Sequence, residues 1–172
     1  MLKNVNLNTK PQITISLDPV LEAFCRYTFK TPAAQKQITV CRNHDIGKLI
    51  HSNVITSDLP VRRPFDINPV TFILPVNRVN HHAISFHFLK ISNWGEQKIQ
   101  DGIEYEFRRW VDKKFADGYK KKYHQIEIVE AILRGLNVRN NAANFDAIKK
   151  IDYRSSRKEE EKRFNLLLLA EI

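Results

Sequence analysis

Asn93-Trp-Gly-Glu-Gln-Lys-Ile-Gln-Asp-Gly-Ile-Glu-Tyr-Glu-Phe-Arg-Arg-Trp-Val-Asp-Lys-Lys-Phe-Ala-Asp-Gly118 is the stretch that decides the fold. Ile99, Ile103, Phe107, Trp110, Val111 and Phe115 recur every three or four residues with charged side chains between them. That spacing makes one apolar face of a long helix. Asn93 with Glu96 three residues on predicts a capping box at its start, and Gly118 predicts its end. Strand patterns dominate before this helix and helical patterns after it, so the reading is an α+β protein with a small mixed sheet and short helices in residues 1–91. Residues 92–172 form a three-helix region with a helix-turn-helix-like end. The two parts could form one continuous domain, since 172 residues suffice for one sizeable core.

Working back toward the N-terminus, Gln12 to Leu17 alternates, with Ile13, Ile15 and Leu17 on one face, and reads as a half-buried strand. Asp18-Pro19 then supplies an N-cap and a first-turn proline for a helix through about Phe29. Ile38 to Cys41 reads as a strand and Asp45 to His51 as a helix. Pro60, Pro64 and Pro69 make Ser57 to Asn68 an extended arm carrying Arg62 and Arg63. Val70 to Leu74 and Ala83 to Ile91 have strand character, and the linker between them predicts a hairpin.

Working forward, Lys121 to Arg134 predicts a second helix stopped by Gly135. A polar link from Leu136 to Asn144 follows, and Asn144 is placed to cap a last helix from Phe145 to at least Arg163. On that helix Phe145, Ile148 and Ile151 are expected to face the core. Lys149, Lys150, Tyr153, Arg154, Arg157 and Lys158 are left to the outside, with Asp152 the one acid among them. Cations at helical spacing with an aromatic between them suit a phosphate backbone and base edges. Arg62 and Arg63 would add a minor-groove arm. The final Leu166, Leu167, Leu168 and Leu169 cover a broad arc and are read as a docking or homo-oligomer contact.

Charge supports a polyanionic partner. The chain has 28 Lys and Arg against 19 Asp and Glu, a net of +9. Divided after Ile91, the nets are +6 (11 basic, 5 acidic) and +3 (17 basic, 14 acidic), so clustering rather than total charge marks the C-terminal footprint. Cys25 and Cys41 are far apart in sequence, which argues against a zinc site or a disulfide framework and predicts two buried thiols. No segment reads as a signal peptide or a bilayer span, so a cytoplasmic protein with no membrane partner is expected.

Two rival chemistries are weighed. Gln12, Thr14 and Ser16 form the polar face of a strand before a helix, as in ribbon-helix-helix readers, but Thr31-Pro32 and another strand follow where a second long helix should stand. Tyr119 and Lys122 have the Tyr-x-x-Lys spacing of a nicking-enzyme nucleophile helix, yet such enzymes need paired metal-binding histidines on a strand. Here His81 and His82 are adjacent and His87 stands apart. The expectation is a non-enzymatic protein with no cofactor or metal.

Asp58-Leu-Pro-Val-Arg-Arg-Pro64, Asn68-Pro-Val-Thr-Phe-Ile-Leu-Pro75 and Phe145-Asp-Ala-Ile-Lys-Lys-Ile-Asp-Tyr-Arg154 resemble segments of small basic proteins of phages and mobile elements of Bacteroidetes. The resemblance covers about the last two thirds of the chain and implies a mobile-element setting, without an active site. Together these readings predict a regulatory or replication-associated protein that binds duplex DNA through its last helix. The alternative is a virion or assembly protein with basic surfaces.

Overall fold

The computed structural model describes residues 11–59, 67–76 and 87–170, the side chains of 159–160 and 163–170 excepted. The predicted arm residues Arg62 and Arg63, the histidines His81 and His82, and the side chains of Leu166, Leu167, Leu168 and Leu169 therefore lie outside the described residues. The protein is α+β. Its elements run β1 (Gln12–Ser16), α1 (Pro19–Thr28), β2 (Gln37–Thr39), α2 (Asp45–Asn53), β3 (Val54–Ser57), β4 (Pro69–Ile73), β5 (Phe88–Ile91), α3 (Asn93–Lys120), α4 (Gln125–Gly135) and α5 (Ala142–Ala170). Residues 1–105 and 106–172 form two compact units, and the boundary falls inside α3.

In the first unit β4 is the middle strand of a mixed sheet, antiparallel to β1 and parallel to β2. Its near-continuous apolar run explains the position, because Val70, Phe72, Ile73 and the following Leu74 are all buried. The predicted hairpin between Val70–Leu74 and Ala83–Ile91 does not form. β5 pairs antiparallel with β3 instead, Val54 opposite Ile91. Val54–Ser57 falls between the expected helix Asp45–His51 and the expected arm, which begins at Ser57, and the sequence predicts no strand there. It escapes a sequence reading because α2 ends at Asn53 and the strand begins at the next residue, with no glycine or proline between them.

The helix starts follow local chemistry. The Asp18 side chain accepts from Val20 N at 2.8 Å with Pro19 in the first turn, as the sequence implies. α3 is capped one residue earlier than expected, by Ser92, whose Oγ accepts from Gly95 N at 3.0 Å. Glu96 is thereby released from a capping box and accepts from Ser16 N at 2.8 Å, while Gln100 Nε2 donates to Ser16 O at 2.7 Å. These two bonds satisfy the end of β1 and bring Ile99 and Ile103 into the core of this unit. Cys25 is buried, and burial pushes its thiol up to about 12, whereas Cys41 is exposed, contrary to the reading of two buried thiols.

In the second unit Phe107, Val111 and Phe115 of α3 are buried, as are Ile128, Val129, Ile132 and Leu133 of α4 and Ile148 of α5. Gly118 does not stop α3. It lies within the helix because Ile128 fills the space beside it: a Cβ there would come within 2.5 Å of Ile128 Cδ1. The ends of α1, α3 and α4 are closed by residues with left-handed backbone, Lys30 (φ 50°), Lys122 (φ 64°) and Asn137 (φ 55°). Each end has the paired bonds of a Schellman turn, for example Tyr123 N to Gly118 O at 3.1 Å and Lys122 N to Tyr119 O at 2.9 Å. Gly135 is accordingly the last residue of α4 and Asn137 is its stop.

Candidate nucleic-acid interface

The turn between α4 and α5 occupies residues 136–141, shorter than the sequence suggests, because the last helix begins at Ala142. Asn141, not Asn144, caps it: Asn141 Oδ1 accepts from Asn144 N at 2.8 Å. The start of α4 moves the other way, from the expected Lys121 to Gln125. There Glu127 Oε2 accepts from His124 N at 2.8 Å. The two helices are thus joined by a compact turn.

Lys149, Lys150, Tyr153, Arg154, Arg157 and Lys158 are all exposed. At about 100° per residue they sweep roughly half of the helix circumference, with Tyr153 between the flanking cations. The inner face differs from expectation in one respect. Ile148 is fully buried and Phe145 and Ile151 are half-buried, but the second buried position is Asp152, 7% exposed. Its Oδ2 accepts from Tyr119 Oη at 2.7 Å and from Gln125 Nε2 at 2.6 Å. Ser155 Oγ, on the same side, donates to Asp112 Oδ1 at 2.6 Å.

The one acid of the basic run is therefore turned inward and occupied, which leaves the outer face positive. Among the described residues no carboxylate lies within ion-pair distance of Lys149, Lys150, Arg154 or Lys158. Arg157 is the exception, with its Nε 3.2 Å from Glu161 Oε1. Both partners are exposed, and such a pair contributes little against a competing phosphate. Asp146 shares this outer face and reduces its net charge by one.

The hydroxyl of Tyr119, the residue with the Tyr-x-x-Lys spacing, is engaged in a hydrogen bond. It donates to Asp152, and desolvation together with that hydrogen bond and charge pushes its pKa up from 10.0 to about 12. A tyrosine nucleophile acts as the phenolate, the form disfavoured here. Because the raised value belongs to the folded state, its contribution to stability is fully present below pH about 10 and is lost as pH rises toward about 12. In an absorbance titration of the 5 tyrosines, one is expected to ionise late, and Tyr119→Phe should remove that late phase. Retention of the late phase in the variant would assign it to another tyrosine.

The polar face of β1 is used within the sheet. Thr14 Oγ1 lies 2.9 Å from Thr71 Oγ1, Gln12 Oε1 accepts from Gln37 Nε2 at 2.6 Å, and Ser16 Oγ donates to Ile67 O. No group of three or more His, Cys, Asp or Glu suited to a metal ion occurs among the described residues, and no helix among them is long and apolar enough to cross a membrane.

A second set of cations escaped the sequence reading. Lys120, the last residue of α3, and Lys121 and Lys122 of the turn to α4 are exposed, followed by exposed Tyr123 and His124. Three consecutive lysines before an aromatic pair were the available signal, obscured by assigning Lys121 and Lys122 to a helix. No family model, curated protein or solved structure matches the chain.

Proposed function

We propose that the chain is a non-enzymatic DNA-binding protein of phage or mobile-element type, a regulator or replication factor, that lays the outer face of α5 against duplex DNA. The observation that carries this reading is the outward row Lys149, Lys150, Arg154 and Lys158 around exposed Tyr153, with Asp152 withdrawn to the inside. A helix with cations on both edges and an aromatic between them suits a groove walled by two phosphate strands. The short turn before α5 is in keeping with a helix-turn-helix-like unit.

The test is a binding titration against duplex DNA, single-stranded DNA and RNA across a range of salt. Duplex DNA should bind most tightly, and four phosphate contacts give a log K versus log salt slope of magnitude at least about 3.6. Equal affinity for all three polymers would overturn the duplex assignment. A flat salt dependence would remove the phosphate contacts and leave a surface for an acidic protein partner, as in an assembly role.

A further inference from the structure

We infer that the turn carrying Lys120, Lys121 and Lys122 is a second phosphate clamp, acting on the same duplex as α5 and extending its footprint to one side. The inference rests on the reading of α5 as a DNA-binding helix. Its structural basis is the double bond to Asp152. Tyr119 comes just before the three lysines and Gln125 just after Tyr123 and His124, and both donate to one carboxylate oxygen on α5, at 2.7 and 2.6 Å. The turn is therefore tied to α5 at both of its ends, through Asp152 on the inner side of that helix.

Two further observations favour a phosphate partner for this turn. All three lysines are exposed, and none has a carboxylate within ion-pair distance among the described residues. Exposed Tyr123, at 53%, adds a donor hydroxyl suited to a phosphate or sugar oxygen. Lys122 also occupies the left-handed position of the Schellman turn, where glycine or asparagine is the comfortable residue. Lys30 closes α1 in the same way, so the position does not by itself select for an ammonium group, but it makes Lys122 replaceable by glycine without cost to the turn.

The last observation supplies a test free of folding artefacts. In the variant Lys120→Ala, Lys121→Ala, Lys122→Gly, the glycine suits the left-handed backbone better than lysine does, so the melting temperature should be kept or raised. Its binding to duplex DNA should nevertheless lose about three phosphate contacts, and the salt slope should fall in magnitude by roughly 2.7. In hydroxyl-radical footprinting it should lose protection on one flank and keep the protection given by α5. A variant with the wild-type slope and footprint, beside an α5 variant that loses both, would overturn the clamp and leave the proposed function standing. If variants at both places bind as the wild type does, the clamp and the α5 reading fall together.

Discussion

Replacing Lys150, Arg154 and Lys158 together by alanine is expected to weaken duplex binding about 100-fold near 0.15 M salt, and to reduce the magnitude of the salt slope by roughly 2.7. These three lie at successive four-residue steps along α5, so they form one ridge, and all are exposed. Alanine is the strongest helix former, and no described partner is orphaned by the change. Circular dichroism and the melting temperature should therefore stay at wild-type values while binding is lost. A further loss of discrimination between duplex and single-stranded DNA should follow, because only the edge carrying Lys149 then remains to meet a second phosphate strand. Wild-type affinity and slope in this folded variant would place the DNA contact elsewhere on the protein.

Gly47→Ala should cause the largest loss of stability among conservative changes in the first unit. Gly47 lies in the first turn of α2, and a Cβ there would stand 2.0 Å from Cys41 O and 2.8 Å from Cys41 C. Those are backbone atoms, so no side-chain rotation relieves the overlap. The segment from Cys41 to His44 must move, disturbing the bonds His44 N to Cys41 O and Ile46 N to His44 Nδ1. Overpacking of this kind costs about 1–3 kcal/mol or more, which for a unit of this size lowers the melting temperature by about 10 °C or more. Gly135→Ala is the control, since nothing lies within 4 Å of a Cβ built there, and it should leave stability unchanged or slightly higher. A wild-type melting temperature for Gly47→Ala would mean that α2 can slide away from Cys41 without cost.

Local chemistry accounts for what the sequence revealed about this fold. Asp18-Pro19 starts α1 because a carboxylate and a ring-fixed φ act over two residues, and the stripe from Ile99 to Phe115 shows α3 because periodicity is a property of one segment. The exposed cations of α5 were legible for the same reason. Helix ends shifted by one to four residues, as at Asn141 and Gln125, while the errors of topology and of residue role concern partners distant in the chain. β5 could pair with either of two earlier strands, and nothing within Phe88–Ile91 says which. Gly118 looks like a stop until Ile128 is known to fill its side. Asp152 looks like one more solvated charge until Tyr119 and Gln125, 33 and 27 residues away, are seen to meet it.

The inward carboxylate also bears on how uniquely α5 is oriented. Among the described residues Ile148 is its single fully buried apolar side chain, flanked by half-buried Phe145 and Ile151, and apolar contacts are non-directional and define the roll of a helix about its axis only loosely. Asp152 narrows that freedom, since a rotation by one residue would strand two donors, and in one direction would also turn Lys149 and Tyr153 inward. Buried polar contacts of this kind add less to raw stability than to the singling out of one packing register. For a helix with a cationic side and an apolar side, azimuth is the property that has to be specified, and the two bonds to Asp152, with that of Ser155 to Asp112, specify it.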